Sequence, residues 1–365
     1  EDPVEYNFMG IMYGDEVIVI YAGRAENRFK RIYKVSDTIE EGIRTIRIYC
    51  LPSPFRPINY IVYSLVIFIV ARRLFKKGFI PQIIHAHVFT AGLPALILGR
   101  LYRIPVVISE HWSKFPLRKL NAFERVLAKF VMNRADTILP VSNSLKATFS
   151  SYGIKGKFNI IPNVVDTSLF YPSGEKQREN GVKKILFVGS LKPIKGLPFL
   201  LHALAQLRQK VEGWHLDIVG DGPGRSEYEK MVSELRLSGK VTFHGMKSRQ
   251  EVSEFMRKAD LFVLPSLSET FAIVAAEALA TGVPVLATRC GGPEEFITEE
   301  VGMLVSPGSA GALCEGLNYM LRNLHLYSID RIAQLAHGIF SPEQIGTAIH
   351  RIYQSLKSQD LMAGF

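Results

Sequence analysis

Two carboxylates stand eight residues apart in the stretch 265–297, PSLSETFAIVAAEALATGVPVLATRCGGPEEFI. On a helix with ~100° and ~1.5 Å per residue, Glu269 and Glu277 come out about 80° apart around the axis and ~12 Å apart along it. Glu269 is then expected at the helix mouth, with Glu277 two turns deeper on roughly the same side. That separation suits the two ends of an extended ligand such as a nucleotide sugar. The helix N-terminus between the acids would offer backbone N–H groups to phosphates. Spacing alone slightly favours two unrelated acids on a solvated helix face. The neighbours shift the balance, because Ala275, Ala276, Ala278, Leu279 and Ala280 surround Glu277 with apolar residues. A carboxylate in such a place has a partner or a task.

Elements that could hold such a ligand alternate along the whole chain. Apolar strand patterns at 17–23, 45–49, 83–87, 105–111, 137–142 and 158–163 are interleaved with helical patterns at 58–77, 90–102, 121–133 and 143–151. The second half repeats the scheme, with strands at 184–190, 216–220, 241–245, 261–266, 284–288 and 303–307. Helices fit at 196–210, 224–237, 248–258, 270–281 and 309–323, and a last helix begins at a Ser341 cap with Gln344 three positions on. Alternation of this kind means α/β architecture with doubly wound sheets. The polar stretch 166–182 breaks the pattern and reads as a linker between an N-terminal domain, 1–165, and a C-terminal domain, 183–340. The terminal segment, 341–365, is expected to pack back on the first domain.

In doubly wound sheets ligands bind beyond the carboxyl ends of the strands. There the second half places Gly189, Ser190, Lys195, Gly196, Gly220, Gly222, Ser266, Glu269, Gly291 and Gly292. Glycines at these ends let a ligand approach the backbone. Lys195 at a helix start opposes the helix dipole, a placement that favours a phosphate partner over an ordinary surface lysine. His111 closes a buried strand in the first half, where a histidine is either structural or turned towards a ligand. Trp112 beside it reads as packing. The His85–Ala86–His87 pair has no clustered acids or cysteines to complete a metal site. The segment 220–224, GDGPG, lacks the dinucleotide spacing, and no phosphate-binding P-loop, nucleophile elbow or D-x-D pair occurs.

The 365 residues are 47% hydrophobic and 21% charged, a globular composition. Cys50, Cys290 and Cys314 are isolated and odd in number, which points to a reducing compartment. The net charge of +10 is lopsided: residues 1–165 hold 23 basic and 12 acidic side chains, a net of +11, and the remainder is at −1. A one-sided basic field suits an anionic membrane surface or an anionic acceptor. Nucleic acid is a poor fit, because no interleaved aromatics or recognition motif accompany the charge. The apolar run 58–71 is 14 residues long, short of a bilayer span, and is followed by Arg72, Arg73, Lys76 and Lys77. It reads as a buried helix, or as one lying in a membrane interface with its basic end towards headgroups.

The set GSLKPIKG (189–196), GDGPG (220–224), SETFAIVAAEALATGVPVLAT (268–288) and GGPEEFI (291–297) resembles the family 4 retaining glycosyltransferases of the GT-B fold. IIHAH (83–87), ISEH (108–111), ADTILPVS (135–142) and IIPNVVD (160–166) extend the resemblance more loosely over the first half. It implies two Rossmann-like domains facing each other across a cleft. It further implies a UDP- or GDP-linked sugar as donor substrate, no separate cofactor, and no metal. The acceptor it suggests is a lipid-linked or polysaccharide molecule of surface glycan synthesis, and the basic first half with the apolar-basic helix 58–77 would place the enzyme peripherally on the cytoplasmic face of the membrane. The family motif falls on Glu269, at the transferred sugar, and Glu277, at the ribose hydroxyls. Lys195 matches the lysine on the diphosphate, and His111 the histidine near the reacting carbon. Ser190, Gly222 and the N–H groups of Phe271, Ala272, Ile273 and Val274 line the diphosphate site. Ser190 stands where many relatives have Arg, and Ala272 where Gly is usual. GDEVIVIYAG (14–23) resembles the family's second strand, so the chain is expected to lack the first strand and Gly-rich loop, and its sheet to lose central pairing. The alternative reading is a non-catalytic nucleotide-sugar-binding or scaffold protein.

Overall fold

The computed structural model describes residues 7–13, 16–24, 33–51, 53, 54, 56–174 and 181–363. The chain forms two compact units: Glu1–Ile161 with Ala348–Phe365, and Pro162–Thr347.

The first unit holds a seven-stranded sheet in the order β3-β4-β2-β1-β5-β6-β7. Its strands are β1 (Asn7–Tyr13), β2 (Glu16–Arg24), β3 (Tyr33–Glu40), β4 (Ile43–Cys50), β5 (Ile83–His87), β6 (Val106–Glu110) and β7 (Thr137–Pro140). β2 and β4 pair in parallel, as do β5, β6 and β7. Helices α1 (Arg56–Lys76), α2 (Phe89–Tyr102) and α3 (Ala122–Met132) make the crossovers from β4 to β7, and α4 (Asn143–Phe149) follows β7. Central pairing is present, contrary to the expectation from sequence. β1 lies between β2 and β5 and runs antiparallel to both, with Gly10 opposite Val19 on one side and His85 on the other. A hairpin strand therefore fills the middle of an otherwise parallel sheet.

Two further differences have simple causes. β3 carries no apolar alternation, because both its faces are largely solvated. It is held as an outer strand by its ladder with β4 and by the Arg44–Asp37 ion pair across it. The segment 158–163, read as a strand, makes a single bridge from Phe158 to Ile138, and Ile161 then bonds to Pro140 O. Pro162 has no N–H with which to continue such a ladder.

The second unit carries a six-stranded, all-parallel sheet in the order β10-β9-β8-β11-β12-β13. Its strands are β8 (Lys183–Val188), β9 (Trp214–Val219), β10 (Val241–Gly245), β11 (Leu261–Leu264), β12 (Val285–Thr288) and β13 (Gly302–Val305). Helices α5 (Leu197–Leu207), α6 (Arg225–Glu234), α7 (Arg249–Lys258), α8 (Ile273–Ala280), α9 (Ala310–Arg322) and α10 (Ile329–Phe340) follow, then α11 (Pro342–Ala363). Strand order reverses between β8 and β11, so the switch-point crevice opens beside the loops after those two strands. Buried strands rich in Leu, Ile and Val explain why this sheet was readable: LFVL of β11 and VLAT of β12 are inaccessible throughout.

Part of the segment read as linker belongs to this unit. Asp166 accepts from Ser168 and Leu169, Phe170 is fully buried, and Arg257 donates to Leu169 O. Residues 175–180 of that stretch lie outside the described ones. The last helix crosses the division: from Ala348 onward it belongs to the first unit, where the Tyr353 hydroxyl lies 2.5 Å from His85 Nδ1.

Candidate active site

In the second unit, the loop after β11 carries Glu269 into a one-residue parallel bridge with Gly291. Its N–H donates to Cys290 O at 2.8 Å, and its carbonyl accepts from Gly292 N at 3.0 Å. Glu269 is therefore tied to the neighbouring loop rather than to a helix. α8 starts four residues later, at Ile273, so the helical-wheel relation expected between Glu269 and Glu277 does not hold. The Glu269 carboxylate accepts from Ser266 Oγ and from Lys195 Nζ, both at 2.7 Å. Lys195 ends a short 3-10 turn (Pro193–Lys195) ahead of α5, and Gly196 then turns the chain with φ of 69°. A Cβ on Gly196 would sit 1.9 Å from Pro265 O, so this glycine lets the two loops touch and brings Lys195 against Glu269.

The same holds elsewhere in the cradle. At Gly220 a Cβ would meet Gly189 O at 2.0 Å, and at Gly292 it would meet Phe271 N at 2.6 Å. These glycines were expected to let a ligand approach. Gly196, Gly220 and Gly292 also pack strand-end loops against one another, which brings the backbone of several loops to one place. Gly189 differs, with only the Phe187 ring at 3.5 Å from its would-be Cβ.

Phe271 fixes the mouth of α8. Its ring is buried against Phe296 and Phe340, with centroids 5.3 and 5.6 Å away, while its backbone lies against Gly292. Ala272 caps the helix at φ 72° and ψ 63°, the left-handed region that costs a residue with a Cβ ~1–2 kcal/mol. The first N–H groups of a helix have no acceptor inside it, and those of Ile273 and Val274 open α8. Ser190, after β8, is half-buried. The Gly222 N–H donates to the Asp221 carboxylate at 2.7 Å, and Asp221 in turn pairs with Arg225.

Glu277 lies in α8, 5% exposed. Burial pushes its carboxyl up to about 7, opposed by the nearby Arg249 guanidinium. Arg249 Nη2 donates to it at 3.0 Å while its charged plane stands 5.4 Å from the Phe170 ring. Arg249 was missed from sequence, although the signal existed. It is the first residue of α7, and so sits at a helix start like the cation that drew attention to Lys195.

His111 belongs to the first unit, beyond the end of β6. Surrounding protein lowers its imidazole below the ordinary histidine value. Its position depends on Glu110, a second residue that sequence reasoning passed over. The fully buried Glu110 carboxylate accepts from the N–H groups of Phe89, His111 and Trp112 at 3.1, 3.0 and 2.9 Å. It thereby caps α2 and holds the turn that carries His111. Burial raises its carboxyl to about 7, and the three N–H donors oppose that rise. The signal was an acid ending a largely apolar strand. His85 is structural: Tyr353 and Ser109 occupy its two ring nitrogens, and burial lowers it to about 4. Among the described residues, no cluster of three or more His, Cys, Asp or Glu side chains is arranged to hold a metal.

Comparison with known proteins bears on the family and the fold. Residues 13–169 match the family model described as Glycosyltransferase Family 4, and residues 173–329 match Glycosyl transferases group 1. An uncharacterized glycosyltransferase of Methanocaldococcus jannaschii is 27% identical over 91% of this chain and 93% of its own length. Sucrose-phosphate synthase from Thermosynechococcus elongatus shares the fold with a TM-score of 0.77 at 22% identity, over 93% of this chain and 88% of that one. Anabaena HepE, solved with UDP and glucose, superposes with a TM-score of 0.66 at 22% identity over 81% of each chain. Two Rossmann-like units, both family matches and the strand-end constellation lead to one conclusion: the chain belongs to glycosyltransferase family 4 and is a glycosyltransferase of GT-B type.

Proposed function

We propose that the enzyme moves a sugar, with retention of anomeric configuration, from a UDP- or GDP-linked donor to a lipid-linked or polysaccharide acceptor of surface glycan synthesis, working peripherally on the cytoplasmic face of the membrane. The observation that carries this reading is the pair of ion-paired carboxylates bracketing the α8 N-terminus, Lys195–Glu269 on one side and Arg249–Glu277 on the other. HepE, which was solved with UDP and glucose, supports the choice of donor.

In this reading Glu277 accepts the ribose hydroxyls, and Lys195 and the opening N–H groups of α8 take the diphosphate. Charge builds on the leaving diphosphate as its bond to the anomeric carbon breaks, and these groups are already in place to stabilise it. The acceptor hydroxyl attacks from the leaving-group face, and its proton passes to the departing phosphate oxygen. Glu269 holds the sugar, and His111 of the first unit is a further candidate catalytic residue. Lys195 starts paired to Glu269, so donor binding exchanges that carboxylate for phosphate.

Isothermal titration with UDP, GDP and their sugars, followed by a turnover assay, tests the reading. Binding with transfer or donor hydrolysis supports it. Binding without either leaves a nucleotide-sugar-binding protein, and no binding contradicts it.

A further inference from the structure

Three neighbouring helices of the first unit each turn an apolar stripe outward. α1 exposes Ile58, Ile61 and Leu65, α2 exposes Ile97 and Leu101, and α3 exposes Phe123, Val126 and Phe130. Fractions of 57% for Ile61, 56% for Leu65 and 70% for Val126 are far above what a core-facing helix shows. The stripes belong to one layer, because α2 packs on both α1 and α3. Tyr60 of α1 also stacks on Phe123 of α3 at 6.0 Å. Soluble monomers rarely leave so many large apolar side chains side by side without a use.

Charge identifies the occupant. No Asp or Glu occurs between Glu41 and Glu110. The one acid on the three helices, Glu124, is buried and bonded to Tyr60, Lys114 and the Asn121 N–H. Exposed cations border the stripes: Arg72, Arg73 and Lys76 end α1, Arg100 and Arg103 end α2, and Arg125 and Lys129 flank α3. Beside α3, a cavity of about 330 Å³ is lined by Arg118, Arg125, Ser151 and Tyr152, which adds two arginines to the basic border. α1 is long and apolar enough to cross a membrane by length and composition alone. Its inner face is nevertheless buried through Tyr63, Ile67, Ala71 and Phe75, leaving only the outer face to lipid. A second copy of the chain is the weaker occupant, since two such basic faces repel one another.

We propose that the outer face of α1, α2 and α3 docks on a bilayer containing anionic phospholipid, with the aliphatic stripes in the headgroup boundary and the cations among phosphates. This deepens the reading of a membrane-peripheral enzyme by naming its lipid-facing surface and the headgroup chemistry. The test is flotation of the full chain with phosphatidylcholine vesicles, with and without phosphatidylglycerol, alongside nucleotide titration of the same samples. Strong binding is expected only with phosphatidylglycerol, falling with salt. R72Q/R73Q/K76Q should weaken it by roughly a hundredfold, and I61Q/L65Q/V126Q by on the order of tenfold, with nucleotide binding unchanged. Absent flotation, flotation of both variants as strong as that of the wild type, or a dimer that only I61Q/L65Q/V126Q dissociates would overturn the docking face. Each of these outcomes leaves the donor reading intact if the nucleotide still binds.

Discussion

The two units of this chain handle charge in opposite ways. In the second, the acids at the candidate site are matched one to one with cations, Glu269 with Lys195 and Glu277 with Arg249, and residues 166–365 are close to neutral overall. In the first, the buried Glu110 is met by backbone N–H groups, and the excess cations are turned outward around apolar stripes. Internal pairing suits a site that must receive a charged ligand by exchanging partners. Outward charge suits a surface that must find an extended anionic one. The contrast explains how one chain can be strongly basic without a basic active site.

The sharpest way to break the comparison is to remove the donor-side cation. Lys195→Ala should lower kcat/KM for transfer by ~10²–10³, the cost of losing one preorganised group on a developing anion. A loss below threefold would mean that the pair with Glu269 is structural. Glu277→Ala should weaken nucleotide-sugar binding ~10–100-fold, as expected for charge-assisted hydrogen bonds to two hydroxyls. Calorimetry with the nucleotide sugar reads this directly.

The pH dependence follows from the same carboxylate. Glu277 is held up to about 7, and its ionised form is the one that accepts hydroxyl protons. Affinity for a nucleotide sugar should therefore rise as pH increases through about 7 and level off above it. Arg249 lowers that value, so Arg249→Gln should move the midpoint upward. An unmoved midpoint would uncouple the pair. On the first unit, Glu110→Gln keeps an acceptor but loses charge, and should reduce kcat through His111 with nucleotide binding intact.

The smallest effects concern backbone strain at Ala272. Ala272→Gly trades relief of a left-handed conformation against unfolded-state entropy and a lost methyl, and should stay within ~0.5 kcal/mol of wild type. Ala272→Val should cost ~2 kcal/mol or more in urea unfolding.

Legibility from sequence differed between the units for a physical reason. The central strands of the second sheet, β11 and β12, are buried throughout and read as short apolar runs, and five helices of that unit fell within a few residues of the expected bounds. α10 escaped notice even though Ile332, Ala336 and Phe340 lie on its buried face. β3, solvated on both sides, has no such signature, and no local pattern announces that β1 runs antiparallel through the centre of a parallel sheet. Glu269, Glu277 and Lys195 were identifiable as chemistry, but their partners were not. The Lys195–Glu269 contact spans 74 positions and depends on Gly196 and Pro265 touching, a relation invisible to any window of sequence.

The central claim is that the α8 mouth divides the donor, with the reacting sugar at Glu269 and the nucleotide at Glu277. Parallel calorimetry and turnover on Glu269→Gln test it most directly. The account predicts a turnover loss of about a hundredfold or more with nucleoside-diphosphate affinity unchanged or tightened, since Lys195 is released to phosphate. Normal turnover, or loss of nucleotide binding in step with turnover, would contradict it.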